Sequence, residues 1–298
     1  MIQKNNIDGI ILLDKPSMMS SNQAIQNIKR EFNLNKIGHT GTLDPLATGL
    51  LPLCLGKATK IAQFLIDSDK TYLATIKLGV KTSTGDKEGE VIETSSVDMP
   101  DDSKVDQIIQ SFVGKHEQIP PMYSALKFKG QRLYKLAIKG IDVPRKPRSI
   151  KINSIDIVAF NNDKIELIIE CSKGTYIRTL AEDIASELQS VGHIHQLRRL
   201  NISCFSNQEM HNMDKIISSD VLDAFLLPID SPLGHLKKIE ICNTESSMFC
   251  NGLSISINLT RLQSDPYIRV YDDIGTFLGL GQHSNGHLKP RMVFNSMN

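Results

Sequence analysis

The amino-acid sequence predicts an α+β protein of two domains. The chain has 298 residues, of which 40% are hydrophobic, and this is enough for one large domain and a small one. Up to Leu236, apolar runs typical of strands alternate with segments whose apolar residues recur at helical spacing. After Leu236, short strands bounded by glycine take over. We therefore predict a large α+β domain at residues 1–235 and a small β-rich domain at residues 236–298.

The first 80 residues are predicted to form two strands and two helical segments. An apolar run and an alternating pattern indicate the strands, and serines suited to cap a helix precede the first helical segment. The elements are a strand at residues 10–13, a helix that begins after Ser20 and Ser21, a helix-like stretch from Lys57 to about Ile66, and a strand from Lys70 to Val80. In the second strand Tyr72, Ala74, Ile76 and Leu78 alternate and so share one face.

Residues 103–192 are predicted to add a helix, a pair of strands and a second helix. Glycine is expected to stop both helices, because it readily adopts the left-handed conformation that ends a helix. The elements are a helix from Ser103 to Gly114, two strands within Ile150–Cys171 around a turn at residues 161–163, and a helix through Leu180, Ile184 and Leu188 that ends at Gly192, with His193 and His195 in the turn after it. Tyr176 and Arg178 would share one face if the strand before them continues.

Basic residues are concentrated in a segment, residues 126–148, that interrupts these patterns. The net charge is only +1, but Leu126–Lys151 holds nine basic residues and one acid, whereas Asp86–Asp106 holds eight acids and two lysines. Such separation places a positive patch on one part of the surface, which suits a phosphate backbone. A solvated basic face without a partner is the alternative. The interleaved apolar residues, among them Phe128 and Tyr134, favour a folded docking element over a loose tail.

Cysteine spacing and hydropathy argue against several other kinds of protein. The five cysteines are scattered without C-x-x-C spacing, which argues against a disulfide framework and against a zinc site. No run approaches the 18 or so apolar residues of a membrane-spanning helix, and the short apolar run before Asp14 is not a signal peptide. We expect a cytosolic protein.

Asp44 is the most informative candidate for a catalytic residue. It lies in the sequence GHTGTLDPLATGLLP, between the glycines of Gly38–Gly41 and an apolar run. Pro45 pushes the residue before it toward an extended conformation, and the leucines that follow predict a dry wall. This arrangement is typical of a desolvated and oriented carboxylate. The alternative is an Asx turn, with Asp44 capping a helix that begins at Pro45.

Six segments of the first 200 residues resemble the motifs of one family and stand in its order. They are GIILLDKP at 9–16, GHTGTLDPLATG at 38–49, DKTY at 69–72, IPPMYSALK at 119–127, SKGTYIRTL at 172–180 and LRRL at 197–200. On these motifs the chain resembles the TruB family, the tRNA pseudouridine-55 synthases. The strands expected at 267–271 and 275–281, and the ending Leu288–Val293, resemble a PUA domain more loosely.

The resemblance implies a mixed-sheet pseudouridine synthase catalytic domain with a basic RNA-binding insertion, followed by a small PUA domain with a barrel-like sheet. It implies isomerisation of uridine to pseudouridine at position 55, in the T-loop of tRNA, after the target base has flipped out of the stack. The reaction needs no cofactor and no metal. The implied partner is the T-arm of tRNA, contacted by Lys127, Lys129 and Arg132, and we expect a monomer that does not bind membranes.

The resemblance makes Asp44 the catalytic carboxylate, and the sequence leaves open whether it acts as a nucleophile or as a base. Arg178 is expected to keep Asp44 ionised and oriented, with a phosphate contact or a structural ion pair as alternatives. Tyr72 and Tyr176 are expected to stack on the extruded base or to place a hydroxyl near its C5, with core packing as the alternative. Leu197 resembles the position whose backbone contacts the uracil.

Six further positions lie in or beside these motifs. His39 is expected to fill the space of the flipped nucleotide or to contact RNA, with bracing of the loop as the alternative. Lys15 and Pro16 are expected to support the Asp44 loop rather than to react. Met18 stands where the family usually has glycine, so the first loop is expected to bend differently. His193 with Ile194 departs from a segment that usually reads Gly-Ala-His.

Two other functions stay open. A non-catalytic RNA-binding or RNA-remodelling protein would use the basic insertion and the C-terminal module without needing Asp44. A nucleoside hydrolase would release the free base, but its usual cluster of aspartates for a metal is missing from the sequence.

Overall fold

The computed structural model describes residues 4–98, 100–161, 163–205, 209–257, 267–284 and 286–294. The strands are β1 (Gly9–Lys15), β2 (Ile37–His39), β3 (Thr48–Leu55), β4 (Lys70–Leu78), β5 (Val80–Thr82), β6 (Val91–Thr94), β7 (Gly114–Gln118), β8 (Lys127–Phe128), β9 (Gln131–Arg132), β10 (Arg148–Asn161), β11 (Lys164–Cys171), β12 (Gly192–Ile202), β13 (His211–Asn212), β14 (Lys238–Glu240), β15 (Ile255–Ser256), β16 (Ile268–Tyr271), β17 (Phe277–Ser284) and β18 (His287–Val293). The α-helices are α1 (Ser21–Glu31), α2 (Ala62–Ile66), α3 (Asp102–Ser111), α4 (Leu133–Ala137), α5 (Ile177–Glu187), α6 (Met213–Ile217) and α7 (Asn243–Cys250). Short 3-10 helices cover Gly56–Ile61, Ser203–Phe205, Asp223–Phe225 and Ser231–Leu233.

A mixed sheet forms the centre of the large domain. Within the described ranges it has nine strands in the order β13–β1–β3–β12–β4–β11–β10–β7, with β2 paired to β3 off this path. Most neighbours are antiparallel, but β1 with β13 and β3 with β12 are parallel. The mixed sheet predicted from the sequence is confirmed. None of the helices in these ranges is long and apolar enough to cross a membrane.

Both faces of the large sheet are covered. Helices α1, α3, α5 and α6 bury their apolar residues against one face. The alternation in β4 turns Tyr72, Ala74, Ile76 and Leu78 to this face, as predicted. The other face, with Ile10 and Leu12, packs against the segment 56–66 and against the C-terminal part of the chain.

The C-terminal strands form a separate five-stranded sheet in the order β14–β16–β17–β18–β15. The strands predicted at residues 267–271 and 275–281 correspond to β16 and β17. Helix α7 packs Phe249 into the core of this module. Leu280 and Phe294 instead join the apolar cluster on the outer face of the large sheet. The module is therefore joined to the large domain by shared packing.

The starts of two helices test the predicted caps. Ser20 caps α1 as expected, because its hydroxyl accepts from the backbone N–H of Gln23 at 3.2 Å while the Gln23 side chain accepts from Ser20 N at 2.8 Å. Helix α3 is capped by Asp101 rather than started by Ser103, since the carboxylate accepts from Lys104 N at 2.9 Å. Aspartate and serine cap equally well, so the pattern did not separate them.

The prediction for the segment around Gly192 is wrong. Helix α5 ends at Glu187, and Gly192 is the first residue of β12 rather than a helix stop. The turn between them uses Gln189 in a left-handed conformation, with φ of 58°. His193 and His195 therefore lie within β12 and not in a turn. A glycine beside an apolar helix pattern signals a stop only when no strand begins there.

The basic insertion is a folded excursion, as predicted. Strands β8 and β9 form a small hairpin, and α4 follows with Leu133 and Leu136 buried. Further along, β10 and β11 pair on both sides of the turn expected at residues 161–163. Asn162 of that turn lies outside the described residues.

Gly49 lets β3 approach the backbone of β12 closely. Its φ is +96°, and a Cβ there would lie 2.2 Å from the carbonyl oxygen and 2.9 Å from the amide nitrogen of Arg199. Gly49 and Arg199 are paired residues of the parallel β3–β12 ladder. The missing side chain thus lets the end of the Asp44 loop join the sheet directly.

Replacing Gly49 with alanine is expected to lower the free energy of unfolding by at least about 2 kcal/mol. The new Cβ combines left-handed backbone strain with a clash against main-chain atoms that cannot rotate away. Denaturant unfolding followed by circular dichroism measures the change. Gly38→Ala is the matched control, because a Cβ at Gly38 meets nothing within 4 Å. Equal stability of the two variants would contradict the close approach at Gly49.

Candidate active site

A cavity of about 270 Å³ opens beside Asp44 on the helix-covered face of the sheet. Its walls come from the Asp44 loop, β4, β12, the segment before the basic insertion, and the start of α5. The lining residues are Gly41, Thr42, Leu43, Asp44, Ile66, Lys70, Tyr72, Ser124, Ala125, Ser172, Gly174, Thr175, Tyr176, Ile177, Arg178, Leu197 and Arg199. A larger cavity, of about 600 Å³, lies between residues 63–68 and the C-terminal module, away from Asp44.

The Asp44 loop is held between β2 and β3. Ala47 N donates to Asp44 O at 3.1 Å, but the chain enters β3 at Thr48 and forms no helix there. The alternative of Asp44 as a helix cap is therefore wrong. The buried ammonium of Lys15 donates to Pro45 O at 3.3 Å, so Lys15 supports the loop as predicted.

Arg178 binds Asp44 directly. Its Nε lies 2.9 Å from Asp44 Oδ2, and the arginine side chain is 6% exposed against 35% for the aspartate. Nη1 donates to Thr84 O at 2.8 Å and Nη2 donates to Tyr123 O at 2.6 Å. Because the buried guanidinium already has these partners, the geometry favours the predicted pairing with Asp44 over a phosphate contact.

A second carboxylate, Asp86, lies on the far side of the same guanidinium. Its Oδ2 is 3.8 Å from Arg178 Nη1, and Asp86 is fixed by the Thr84 hydroxyl at 2.6 Å. Burial raises the pKa of the Asp44 carboxyl, Arg178 opposes this shift, and the negative charge of Asp86 adds to it. In the sequence Asp86 lies in a run of turn-forming residues, and nothing there marks it as a site residue.

The two predicted tyrosines form different parts of the wall. Tyr72 lies on β4 and is 9% exposed, while Tyr176 is half-buried and precedes the first residue of α5. Tyr176 is therefore a helix cap and not part of a continuing strand. Gln118 clamps its backbone, accepting from Tyr176 N at 2.8 Å and donating to Tyr176 O at 3.1 Å. Burial raises the pKa of both phenols, so both are neutral donors.

Leu197 and His39 have different positions relative to the cavity. Leu197 lies on β12 opposite Ala74 of β4 and forms part of the cavity wall. His39 ends β2 and is not among the described residues that line the cavity. Its Nδ1 is buried without a hydrogen-bond partner in the described part of the chain, and burial lowers its pKa.

Two basic residues of the cavity were not predicted from the sequence. Lys70 is 7% exposed, and its ammonium donates to Ile66 O at 2.7 Å. Burial lowers the pKa of Lys70 to about 8. Arg199 is 1% exposed and follows Arg198 in the LRRL segment. The two adjacent arginines gave no indication of which one faces inward. The described residues contain no group of three or more His, Cys, Asp or Glu side chains placed to hold a metal.

Met18 and the RNA-binding candidates lie outside the cavity. Met18 is 74% exposed with φ of 60°, so it adopts the left-handed conformation that a glycine would take without strain. Whether the first loop bends differently from that of the family stays a prediction. Lys127, Lys129 and Arg132 are exposed on the β8–β9 hairpin. The residues just before this hairpin, Ser124 and Ala125, line the cavity, so the insertion starts at its edge.

The chain matches three family models in succession. They are described as TruB family pseudouridylate synthase (N terminal domain) at residues 29–177, tRNA pseudouridylate synthase B C-terminal domain at residues 178–234, and Pseudouridine synthase II TruB, C-terminal, at residues 238–294.

Curated relatives and solved structures agree with these models. A tRNA pseudouridine synthase B of Marinomonas sp. (strain MWYL1) is 42% identical over 298 residues, covering 98% of this chain and 96% of the relative. The tRNA pseudouridine synthase B of Methylobacillus flagellatus is 44% identical over 301 residues, covering 97% of this chain and 96% of the relative. A Cbf5-Nop10-Gar1 complex contains a chain of similar fold, with a TM-score of 0.72 at 23% identity over 96% of this chain and 84% of that one. The chain therefore belongs to the TruB family of pseudouridylate synthases, as its six motifs predicted.

Proposed function

We propose that the protein isomerises uridine to pseudouridine at position 55, in the T-loop of tRNA, and that Asp44 is the catalytic residue. The observation that carries the proposal is the ion pair of Asp44 with the buried Arg178 in the wall of a small cavity that also contains Tyr72 and Tyr176. The relatives are named tRNA pseudouridine synthase B, which supports tRNA as the substrate.

The reaction breaks the C1′–N1 bond of uridine, turns the base and joins C1′ to C5. One proton leaves C5 and one is added to N1, so nothing is oxidised or reduced and no cofactor is required. Asp44 serves either as the nucleophile at the ribose or as the base that assists the rearrangement. In both cases Asp44 acts in its ionised form. Burial disfavours that form, and the positive charge of Arg178 stabilises it.

A cavity of about 270 Å³ has room for one extruded nucleoside and not for a stacked arm. The glycosidic carbon is out of reach inside a stack, so the target nucleotide flips out before it reacts. Tyr72 and Tyr176 then offer ring faces or hydroxyls to the base, and Leu197 offers its backbone. His39 lies outside the cavity lining, and its proposed role is in the space that the nucleotide leaves.

Two other elements are proposed to hold the RNA. Residues 126–148 carry the exposed Lys127, Lys129 and Arg132 and follow Ser124 and Ala125 of the cavity wall. Residues 236–298 form a second, PUA-like RNA-binding domain. The protein acts as a monomer on cytoplasmic tRNA, with contacts centred on the T-arm.

Asp44→Asn is expected to reduce pseudouridine formation by about four orders of magnitude or more, since no carboxylate remains to act as nucleophile or base. The fold is expected to persist, because the change is nearly isosteric and Asp86 remains 3.8 Å from Arg178. Position-resolved mapping of pseudouridine in an unmodified tRNA transcript, paired with filter binding of the same preparation, measures both effects.

Asp14→Asn is the matched control for Asp44→Asn. Asp14 also pairs with an arginine, Arg198 at 2.7 Å, but lies outside the cavity. It is expected to keep the wild-type rate. Full modification by Asp44→Asn would refute the catalytic assignment. Binding without modification by the wild-type protein would instead favour a non-catalytic RNA-remodelling role.

Replacing Lys127, Lys129 and Arg132 with glutamine is expected to weaken tRNA binding. The slope of log affinity against log salt should fall by about 2–3, because each phosphate contact contributes about 0.7–0.9. Filter binding across a salt series measures it. Lys87→Gln with Lys104→Gln, in the acidic segment, is the control and should leave the slope unchanged. An unchanged slope in the triple variant would remove the insertion from the RNA contact surface.

Replacing Lys289 and Arg291 of β18 with glutamine tests the C-terminal module. Both side chains are exposed, and every residue lining the cavity lies before residue 200. We therefore expect a higher KM for full-length tRNA and an unchanged single-turnover rate at saturating protein. A lower single-turnover rate in a folded variant would mean that the module contributes to the active site itself.

A further inference from the structure

Arg199 connects the two ends of the Asp44 loop. Its Nε donates to Leu50 O at 2.7 Å and its Nη2 donates to Gly41 O at 3.1 Å. Gly41 precedes Asp44 and Leu50 follows it, so one guanidinium spans the base of the loop. The side chain is 1% exposed, which means that its orientation is fixed by the surrounding protein.

Among the described residues, Arg199 forms no ion pair with a carboxylate. The ion pairs found within the described ranges involve Arg178 and Arg198 but not Arg199. Buried charges are normally paired, because removal from water costs several kcal/mol. Here the positive charge lies in the wall of the cavity instead.

Tyr72 lies beside this charge in the cavity wall. Tyr72 and Arg199 are paired residues of the β4–β12 ladder, so their side chains lie on the same face. The guanidinium interacts with the hydroxyl and opposes the upward shift of the Tyr72 pKa that burial causes. A hydroxyl beside a cation is a stronger hydrogen-bond donor than one in an apolar wall.

The reaction creates a matching negative charge. When the C1′–N1 bond breaks, its electron pair remains on the uracil, and the base must stay in the cavity as an anion until C1′ joins C5. A preoriented donor backed by a fixed cation stabilises such an anion without reorganisation. This argument rests on the proposed isomerisation.

We propose that Arg199 is a positioning residue for the detached base: fixed by the carbonyls of Gly41 and Leu50, it polarises the Tyr72 hydroxyl, which donates a hydrogen bond to the uracil anion. No proton changes its covalent partner in this step. The hydroxyl stays protonated, and the anion is held only by the hydrogen bond and the charge behind it.

Arg198 supplies a matched control from the same strand. It is the neighbour of Arg199 but points the other way, and it binds both Asp14 oxygens at 2.9 and 2.7 Å. Its charge is paired and it is absent from the cavity wall. Arg198→Met is therefore expected to keep the single-turnover rate of the wild-type protein.

The test compares single-turnover pseudouridine formation by the full-length protein carrying Arg199→Met, Arg199→Lys, Tyr72→Phe and the two double changes. We expect a loss of about 10²–10³-fold for Arg199→Met, with tRNA affinity nearly unchanged. Arg199→Lys should recover part of the rate, because it restores the charge but not the fork that reaches both carbonyls. In the Tyr72→Phe background, either change at Arg199 should lower the single-turnover rate by less than about 3-fold.

Each outcome separates the inference from the proposed function. If the rate loss of each double variant equals the product of the two single losses, Arg199 does not act through Tyr72, and the inference is overturned. A wild-type rate in folded Arg199→Met would do the same. Should Arg199→Met fail to fold, the cycle of Arg199→Lys with Tyr72→Phe gives the same comparison. Absence of pseudouridine with both the wild-type protein and Arg198→Met would instead refute the proposed function.

Discussion

The buried guanidinium of Arg178 is the constraint on which the site depends. A charge that is 6% exposed loses its hydration, and the loss is offset only if carboxylates and carbonyls surround it. Asp44, Thr84 and Tyr123 supply those groups from three separate segments of the chain. Satisfying one arginine therefore fixes the Asp44 loop, the turn before Asp86 and the approach to the basic insertion around the start of α5.

Arg199 provides another fixed charge in the cavity wall. The order of the sheet makes this possible, since β12 lies between β3 and β4 and brings Arg199 beside Gly49 and Tyr72. The contact between β3 and β12 requires a glycine, because a Cβ at Gly49 would overlap the Arg199 backbone. Lys70, Arg178 and Arg199 thus line the cavity, and Asp44 is the one acid among the described residues of its wall, which favours negative charge on a base held there.

The elements expected to contact RNA are attached to this site in different ways. Ala125, the residue before the basic insertion, lies in the cavity wall, and the nearby carbonyl of Tyr123 accepts a hydrogen bond from Arg178. The C-terminal module packs on the other face of the sheet through Leu280 and Phe294. The first element is therefore continuous with the Asp44–Arg178 pair, whereas the second is joined to it only through the core.

The sequence by itself determined the family, the mixed sheet, the buried face of β4 and the place of Asp44, because these follow from local motifs and from alternation of apolar residues. It misplaced the start of α3 and took Gly192 for a helix stop, since Asp101 and Ser103 cap equally well and a glycine fits either a helix end or a strand start. Only the tertiary structure decided that Asp86 lies beside Arg178 and that Arg199, rather than Arg198, points into the cavity. These facts depend on which distant strands become neighbours, and adjacent arginines carry the same local signal whichever face they take.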